Sequence, residues 1–111
     1  MYKRFLEFRG VRVITAADGM SALAVLEKHR LDAIVIDLAM PRLTGWEVIR
    51  AVRKDRAIQT MPILAVTGQG TRESALEAGA DGFLSKPCLP DHLIAELLRV
   101  IKTSPKKERD Q

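Results

Sequence analysis

The chain has 111 residues and a formal net charge of +4 at neutral pH, with 47% hydrophobic and 29% charged residues. That length suits one domain and is too short for two, and no apolar run approaches the roughly 18–20 residues that span a bilayer. The single cysteine, Cys88, excludes an internal disulfide framework and a metal site built from several cysteines. Because charged residues interrupt the first nine positions, where a secretion signal has its apolar core, we expect a cytoplasmic protein without a membrane anchor.

The basic excess lies in residues 1–12 and 102–111, and the body of the chain between them is close to neutral. Charged ends are typical of solvated tails, so we expect no direct binding of nucleic acid. Residues 103–111 lack apolar side chains and are predicted to be a disordered tail or the start of a linker. The sequence therefore predicts one domain over residues 1–102.

Apolar periodicity and turn signals predict helices and short strands in alternation. The first part of the chain predicts a helix at 2–9 ended by left-handed Gly10, a strand at 11–15, a turn at Asp18-Gly19 and a helix from Ser21 as its cap to about His29. A strand at 33–37 and a helix at 45–55 follow, and this helix has Trp46, Ile49 and Val52 on one packing face. The last part predicts a strand at 63–67, a helix at 72–78 closed by Gly79, a strand at 82–85 and a helix at 90–102 with apolar positions Leu93, Ile94, Leu97, Leu98 and Ile101. The run at 33–37 has no polar alternation, which predicts a strand covered on both faces. This order indicates an α/β fold with a parallel sheet.

Polar residues stand at the ends of three predicted strands: Asp37, Thr67 and Lys86. Parallel strands bring their carboxyl ends to one crevice, so these side chains are expected to meet there. A carboxylate can attack a phosphoryl group, a hydroxyl can donate to its oxygen, and an ammonium can balance its charge. Each residue also has an ordinary interpretation. Asp37 can form a turn or pair with Lys86, Thr67 can be a plain strand residue, and Lys86 a surface lysine.

From residue 5 to residue 101 the sequence resembles the receiver domain of two-component response regulators. The resemblance is carried by the motifs Thr15-Ala16-Ala17-Asp18-Gly19, Ile34-Val35-Ile36-Asp37-Leu38-Ala39-Met40-Pro41 with Thr44-Gly45, Ala65-Val66-Thr67-Gly68, and the run from Ala75 to Pro87. It implies a flavodoxin-like, doubly wound parallel sheet with strand order 2-1-3-4-5. It also implies a phosphorelay role, with a histidine kinase or phosphotransfer protein as donor and an output protein or effector domain as partner.

The resemblance implies a role for each matching site residue. Asp37 would be the phosphoacceptor, Thr67 the switch hydroxyl, and Lys86 the lysine that pairs with the phosphoryl group. Gly68 would leave room for the phosphate, and Phe83 would be the aromatic residue that swings inward when Thr67 moves.

Two further features follow from the same resemblance. The Lys86-Pro87 peptide bond would be cis, the isomer that only proline adopts cheaply. Asp37 and the backbone carbonyl of Ala39 would be ligands of Mg²⁺.

The sequence departs from the family at its beginning, where the first strand and its acidic pair of magnesium ligands are absent. We therefore expect an upstream start or a fragment, a gap in the sheet, and weak or absent Mg²⁺ binding, since one carboxylate is a poor donor set. The leading hypothesis is a phosphorylated receiver domain that is not an enzyme. The alternatives are a receiver-fold interaction module that is not phosphorylated, favoured by the missing acids, and a small α/β enzyme.

Overall fold

The computed structural model describes residues 3–10, 18–29, 31–39, 44–68 and 70–103. Helices and short strands alternate in the order α1 (Lys3–Phe8), α2 (Gly19–Lys28), β1 (Ile34–Ile36), α3 (Gly45–Lys54), β2 (Ile63–Thr67), α4 (Arg72–Ala78), β3 (Gly82–Ser85) and α5 (Pro90–Thr103). The ends of the described elements agree with the predicted ends to within one residue, except at the start of α2, where the cap is three residues earlier than predicted. The predicted strand at 11–15 lies outside the described residues, as do residues 104–111 of the predicted tail, whose first residue, Thr103, instead belongs to α5.

Short polar side chains cap the starts of α2, α3 and α4, and one of these caps was predicted wrongly. The carboxylate of Asp18 accepts a hydrogen bond of 2.9 Å from the Ser21 N–H, so Asp18 caps α2 and Ser21 lies in its first turn. The Asp18-Gly19 pair is therefore a helix start and not a separate turn, because an aspartate before the first turn satisfies a free N–H. At α3, Thr44 and Glu47 form a reciprocal capping box.

The three described strands form a parallel sheet in the order β1-β2-β3. Ile36 lies opposite Ala65 in one ladder, and Thr67 lies opposite Ser85 in the other. All three strands thus end at one edge, as the predicted α/β architecture requires. None of the described helices is long and apolar enough to cross a membrane.

Side-chain alternation along β2 divides the interior into two cores. Ile63 and Ala65 join a core beneath α2, α3 and α4, while Leu64 and Val66 join a second core beneath α1 and α5. β2 is buried along its whole length. A central strand buried on both faces, with helices on either side, makes a three-layer α/β sandwich.

The predicted burial of the first described strand on both faces is wrong in part, and the apolar positions predicted for α5 are not all buried. Val35 in β1 is 39% exposed, because α5 packs on β2 and β3 and leaves part of the β1 face open. In α5, Leu98 is 50% exposed, whereas Val100, which the prediction omitted, is fully buried. Val100 stands two helical turns after Leu93 and so continues the buried stripe, while Leu98 lies well around the helix from it.

The guanidinium of Arg53 joins several segments at the edge of the sheet opposite the strand ends. Its nitrogens donate to the carbonyls of Gly79, Gln59 and Met61 and to the Asp81 carboxylate, over 2.7–2.9 Å. Asp81 Oδ2 also accepts from the N–H of Ile63, the first residue of β2, at 2.8 Å. We call this group the Arg53 clamp.

Candidate functional site

The ends of the three strands bring together the three polar residues that the sequence singled out. Asp37 directly follows β1, Thr67 is the last residue of β2, and Lys86 directly follows β3. The Lys86 N–H donates to the Thr67 carbonyl at 2.9 Å, which extends the β2–β3 ladder by one step. The sheet register therefore places a carboxylate, a hydroxyl and an ammonium in one small cluster.

Both oxygens of the Asp37 carboxylate are engaged. Oδ2 accepts from Lys86 Nζ at 2.6 Å, across 49 positions of sequence, and Oδ1 accepts from the Ala39 N–H at 2.9 Å. The buried Thr67 hydroxyl also donates to this carboxylate. Asp37 thus forms both the ion pair with Lys86 and the turn at Ala39 that its ordinary interpretations predicted. These contacts occur where Asp37, Thr67 and Lys86 were predicted to meet.

The surroundings keep Asp37 ionised. Partial burial raises the pKa of its carboxyl, but the hydrogen bonds from Lys86, Ala39 and Thr67 favour the charged form and outweigh burial, so the pKa lies below its usual range. The side chain is still 32% exposed. The result is a charged carboxylate that solvent and a reacting group can reach.

The remaining predicted site residues lie around this cluster. A Cβ added at Gly68 would meet no atom within 4 Å, so packing does not demand glycine there and open space adjoins the Thr67 backbone. The Phe83 side chain is buried, in the core beneath α3 and α4. The Lys86-Pro87 bond is cis, which is the isomer that the resemblance implies.

Gly45, the first residue of α3, contributes to the site in a way that the sequence did not reveal. Its N–H donates to the Leu38 carbonyl at 3.1 Å, and an added Cβ would lie 2.7 Å from the Leu38 Cα and even closer to the Asp37 carbonyl oxygen. Only glycine allows this approach of α3 to the Asp37 backbone. A glycine just after the helix cap was the available signal, although it indicates a helix start equally well.

The donors for Mg²⁺ are few. Asp37 is the carboxylate that the resemblance assigns to the ion, with the Ala39 carbonyl beside it. Within the described ranges, no three histidine, cysteine or acidic side chains come together as a metal cluster. Mg²⁺ requires near-octahedral oxygen coordination, and here one carboxylate already bonded to an ammonium would have to anchor it. The described residues therefore do not fit a complete magnesium site.

Comparison with known proteins agrees with this geometry. The family described as "Response regulator receiver domain" matches residues 1–98. "Response regulator MprA" of Mycobacterium sp. (strain KMS) is 38% identical over 112 residues, which cover 97% of this chain and 48% of that protein. MprA of Mycobacterium ulcerans is equally identical. The chain thus spans about half the length of the curated relatives it matches.

Solved structures of the same kind superpose closely. The chemotaxis response regulator CheY4 of Vibrio cholerae has a TM-score of 0.83 at 40% identity, covering 90% of this chain and 86% of CheY4. The receiver domain of sensor histidine kinase PA1611 from Pseudomonas aeruginosa, solved with magnesium in its active-site cleft, has a TM-score of 0.81 at 36% identity, covering 90% and 84%. The fold is therefore flavodoxin-like, and this chain belongs to the response regulator receiver domain family.

Proposed function

We propose that this chain accepts a phosphoryl group on Asp37 from the phosphohistidine of a histidine kinase or phosphotransfer protein. The observation that carries the proposal is the Asp37 carboxylate itself. It is partly exposed, held ionised, and contacted by the Lys86 ammonium and the Thr67 hydroxyl. A nucleophile with a cation and a hydroxyl donor beside it is suited to phosphoryl transfer.

The transfer follows from these positions. One carboxylate oxygen of Asp37 attacks the phosphorus atom, and an aspartyl phosphate bond forms as the phosphorus–nitrogen bond to the histidine breaks. The electron pair of the broken bond stays with the imidazole, which takes up a proton. The new group brings a charge of about −1.5 to −2 and additional acceptor oxygens. Lys86 and Thr67, which already contact the carboxylate, supply the counter-charge and the donor. The chain is in this scheme the acceptor and not an enzyme.

The signal would leave through α4, β3 and α5. Phe83 in β3 lies in the core that also contains Ala75 of α4. The Arg72 guanidinium donates to the Phe83 carbonyl at 3.3 Å, which ties the start of α4 to the same strand. A movement of Thr67 can therefore be transmitted through packed side chains to the surface of α4, β3 and α5, which an output protein or effector domain can bind.

The test is phosphorylation by a small donor, phosphoramidate, followed by mass spectrometry of the intact protein. We expect a mass gain of one phosphoryl group that is abolished in Asp37→Asn. Asp32→Asn, which changes an exposed acid five positions earlier, is the matched control and should be modified like the native protein. Parallel reactions with Mg²⁺ and with a chelator measure how far the reaction depends on the ion.

A folded protein that gains no mass under any of these conditions would contradict the proposal. It would favour the receiver-fold interaction module that is not phosphorylated. Modification that persists in Asp37→Asn would move the acceptor to another residue and contradict the assignment of Asp37.

A further inference from the structure

Trp46 stands where α3 meets the two loops of the site. It follows Gly45, whose backbone lies against Asp37 and Leu38. The indole is half-buried and packs on the core beneath α3. The first turn of α3 thus contacts the loop after β1 through Gly45, and Trp46 extends from the same turn.

The other contact of the indole is with the loop between β2 and α4. Gly70 adopts a φ of +78°, and a Cβ at that position would lie 2.8 Å from Trp46 Cζ2 and 3.0 Å from Cη2. The same Cβ would lie 3.3 Å from Ser74 Oγ, in the first turn of α4. The six-membered ring of the indole therefore lies directly on the backbone of a loop that begins one residue after Thr67.

Ser74 is itself part of the structure that starts α4. Its N–H and hydroxyl form a reciprocal capping arrangement with Thr71. Trp46 and Ser74 also line one open groove between α3 and α4, together with Arg50 and Glu77. A displacement of the loop at Gly70 or of the first turn of α4 must therefore change the contacts of the Trp46 ring.

We infer that Trp46 is a positioning residue that holds the Gly70 loop and the first turn of α4 against α3, and thereby sets where Thr67 lies relative to Asp37. For its effect on phosphorylation this inference rests on the proposed function. Its structural part, the contact with the Gly70 loop, does not.

The first experiment needs no phosphate. In Trp46→Phe the ring stops short of Gly70, and we expect amide hydrogen exchange at residues 70–74 to accelerate roughly fivefold while exchange in β3 is unchanged. Arg50→Ala, which alters an exposed residue lining the same groove, is the matched control and should exchange like the native protein. Gly70→Ala should disturb the loop more than Trp46→Phe does, and adding Trp46→Phe to it should restore part of the loss, because the shorter ring leaves room for the methyl group.

The second experiment uses the fact that Trp46 is the single tryptophan of the chain. On addition of phosphoramidate we expect its fluorescence to change with the same time course as the mass gain. Thr67→Ala should gain the mass without the fluorescence change, which is a difference that a merely structural role for Trp46 would not produce.

The outcomes separate the inference from the proposed function. Phosphorylation with no fluorescence change in the native protein would overturn the positioning role. Unchanged exchange at residues 70–74 in Trp46→Phe would overturn the contact on which it rests. Absence of any mass gain would count against the proposed function. The exchange experiment would then still decide whether Trp46 holds the Gly70 loop.

Discussion

Replacing Arg53 by alanine should destabilise the domain strongly, although the residue is far from Asp37 in the fold. The change removes four hydrogen bonds from the Arg53 clamp, to the carbonyls of Gly79, Gln59 and Met61 and to the Asp81 carboxylate. It also breaks the ion pair of Asp81 with Arg53, after which the Asp81 carboxylate keeps the hydrogen bond from the Ile63 N–H. These bonds join the end of α4 and the start of β3 to the segment that enters β2.

The size of the effect follows from burial. Hydrogen bonds to charged groups contribute about 1.5–3 kcal/mol each when both partners are desolvated. Here the side chains of Arg53 and Asp81 are 22% and 28% exposed, and water can reach the Gln59 carbonyl once the guanidinium is gone. We therefore expect a total loss of about 3 kcal/mol in the free energy of unfolding. For a domain of this size, that loss lowers Tm by about 12–24 °C.

Urea unfolding followed by circular dichroism measures the loss, with two comparison variants. Arg53→Lys keeps the charge but not the planar fork, so it should fall between the native protein and Arg53→Ala. Arg50→Ala, an exposed arginine one turn earlier on the same helix, should change stability by less than about 0.5 kcal/mol.

A result in which Arg53→Ala costs no more than Arg50→Ala would refute the argument. It would mean that the hydrogen bonds of the guanidinium are replaced by water without loss. A double-mutant cycle with Asp81→Asn provides a further check, since an interacting pair should show a coupling energy of about 1 kcal/mol.

Three further predictions concern the site and its supporting helix. Gly45→Ala should lower the free energy of unfolding in urea by about 2 kcal/mol, because its Cβ would press on the Asp37–Leu38 backbone. Gly68→Ala should change it by less than about 0.5 kcal/mol, because a Cβ there meets no atom. Equal effects of the two substitutions would contradict the packing argument. The pKa of Asp37 is lower in the folded state, so its charge stabilises the fold at neutral pH and this contribution is lost as the pH falls through the folded pKa. The decrease in the free energy of unfolding between neutral and acidic pH should be smaller in Lys86→Met than in the native protein. An equal decrease in both proteins would exclude the ion pair as its cause. Thr44→Ala removes the capping box of α3 and should cost about 1 kcal/mol by thermal unfolding, while no change in Tm would show that water replaces the cap.

The order of elements could be predicted because the signals for it are local. Gly79, for example, closes α4 at a φ of +121°, as its position directly after the predicted helix suggested. The errors arose where two residues could take one role. Both Asp18 and Ser21 can cap a helix, and the choice depends on which of them the chain leaves extended. Leu98 and Val100 are both apolar, and the choice between them depends on the helix face that α5 turns toward the sheet.

The convergence of Asp37, Thr67 and Lys86 was predictable because all three stand at ends of parallel strands, and such ends share one edge. The contacts around them were not. That Gly45 touches the Asp37 backbone, and that Trp46 lies on Gly70, depends on distances between elements that local sequence signals do not encode.

By itself the sequence determined the alternation of helices and strands, the family resemblance and the residues that meet at the strand ends, since these depend on periodicity, caps and spacing along the chain. Only the tertiary structure decided which atoms meet across that spacing. It set the 2.6 Å contact of Lys86 with Asp37, the fourfold hydrogen bonding of Arg53, and the partial exposure of Val35. The physical reason is that hydrogen bonds and close packing depend on tenths of an ångström, and these are fixed only when whole elements pack together.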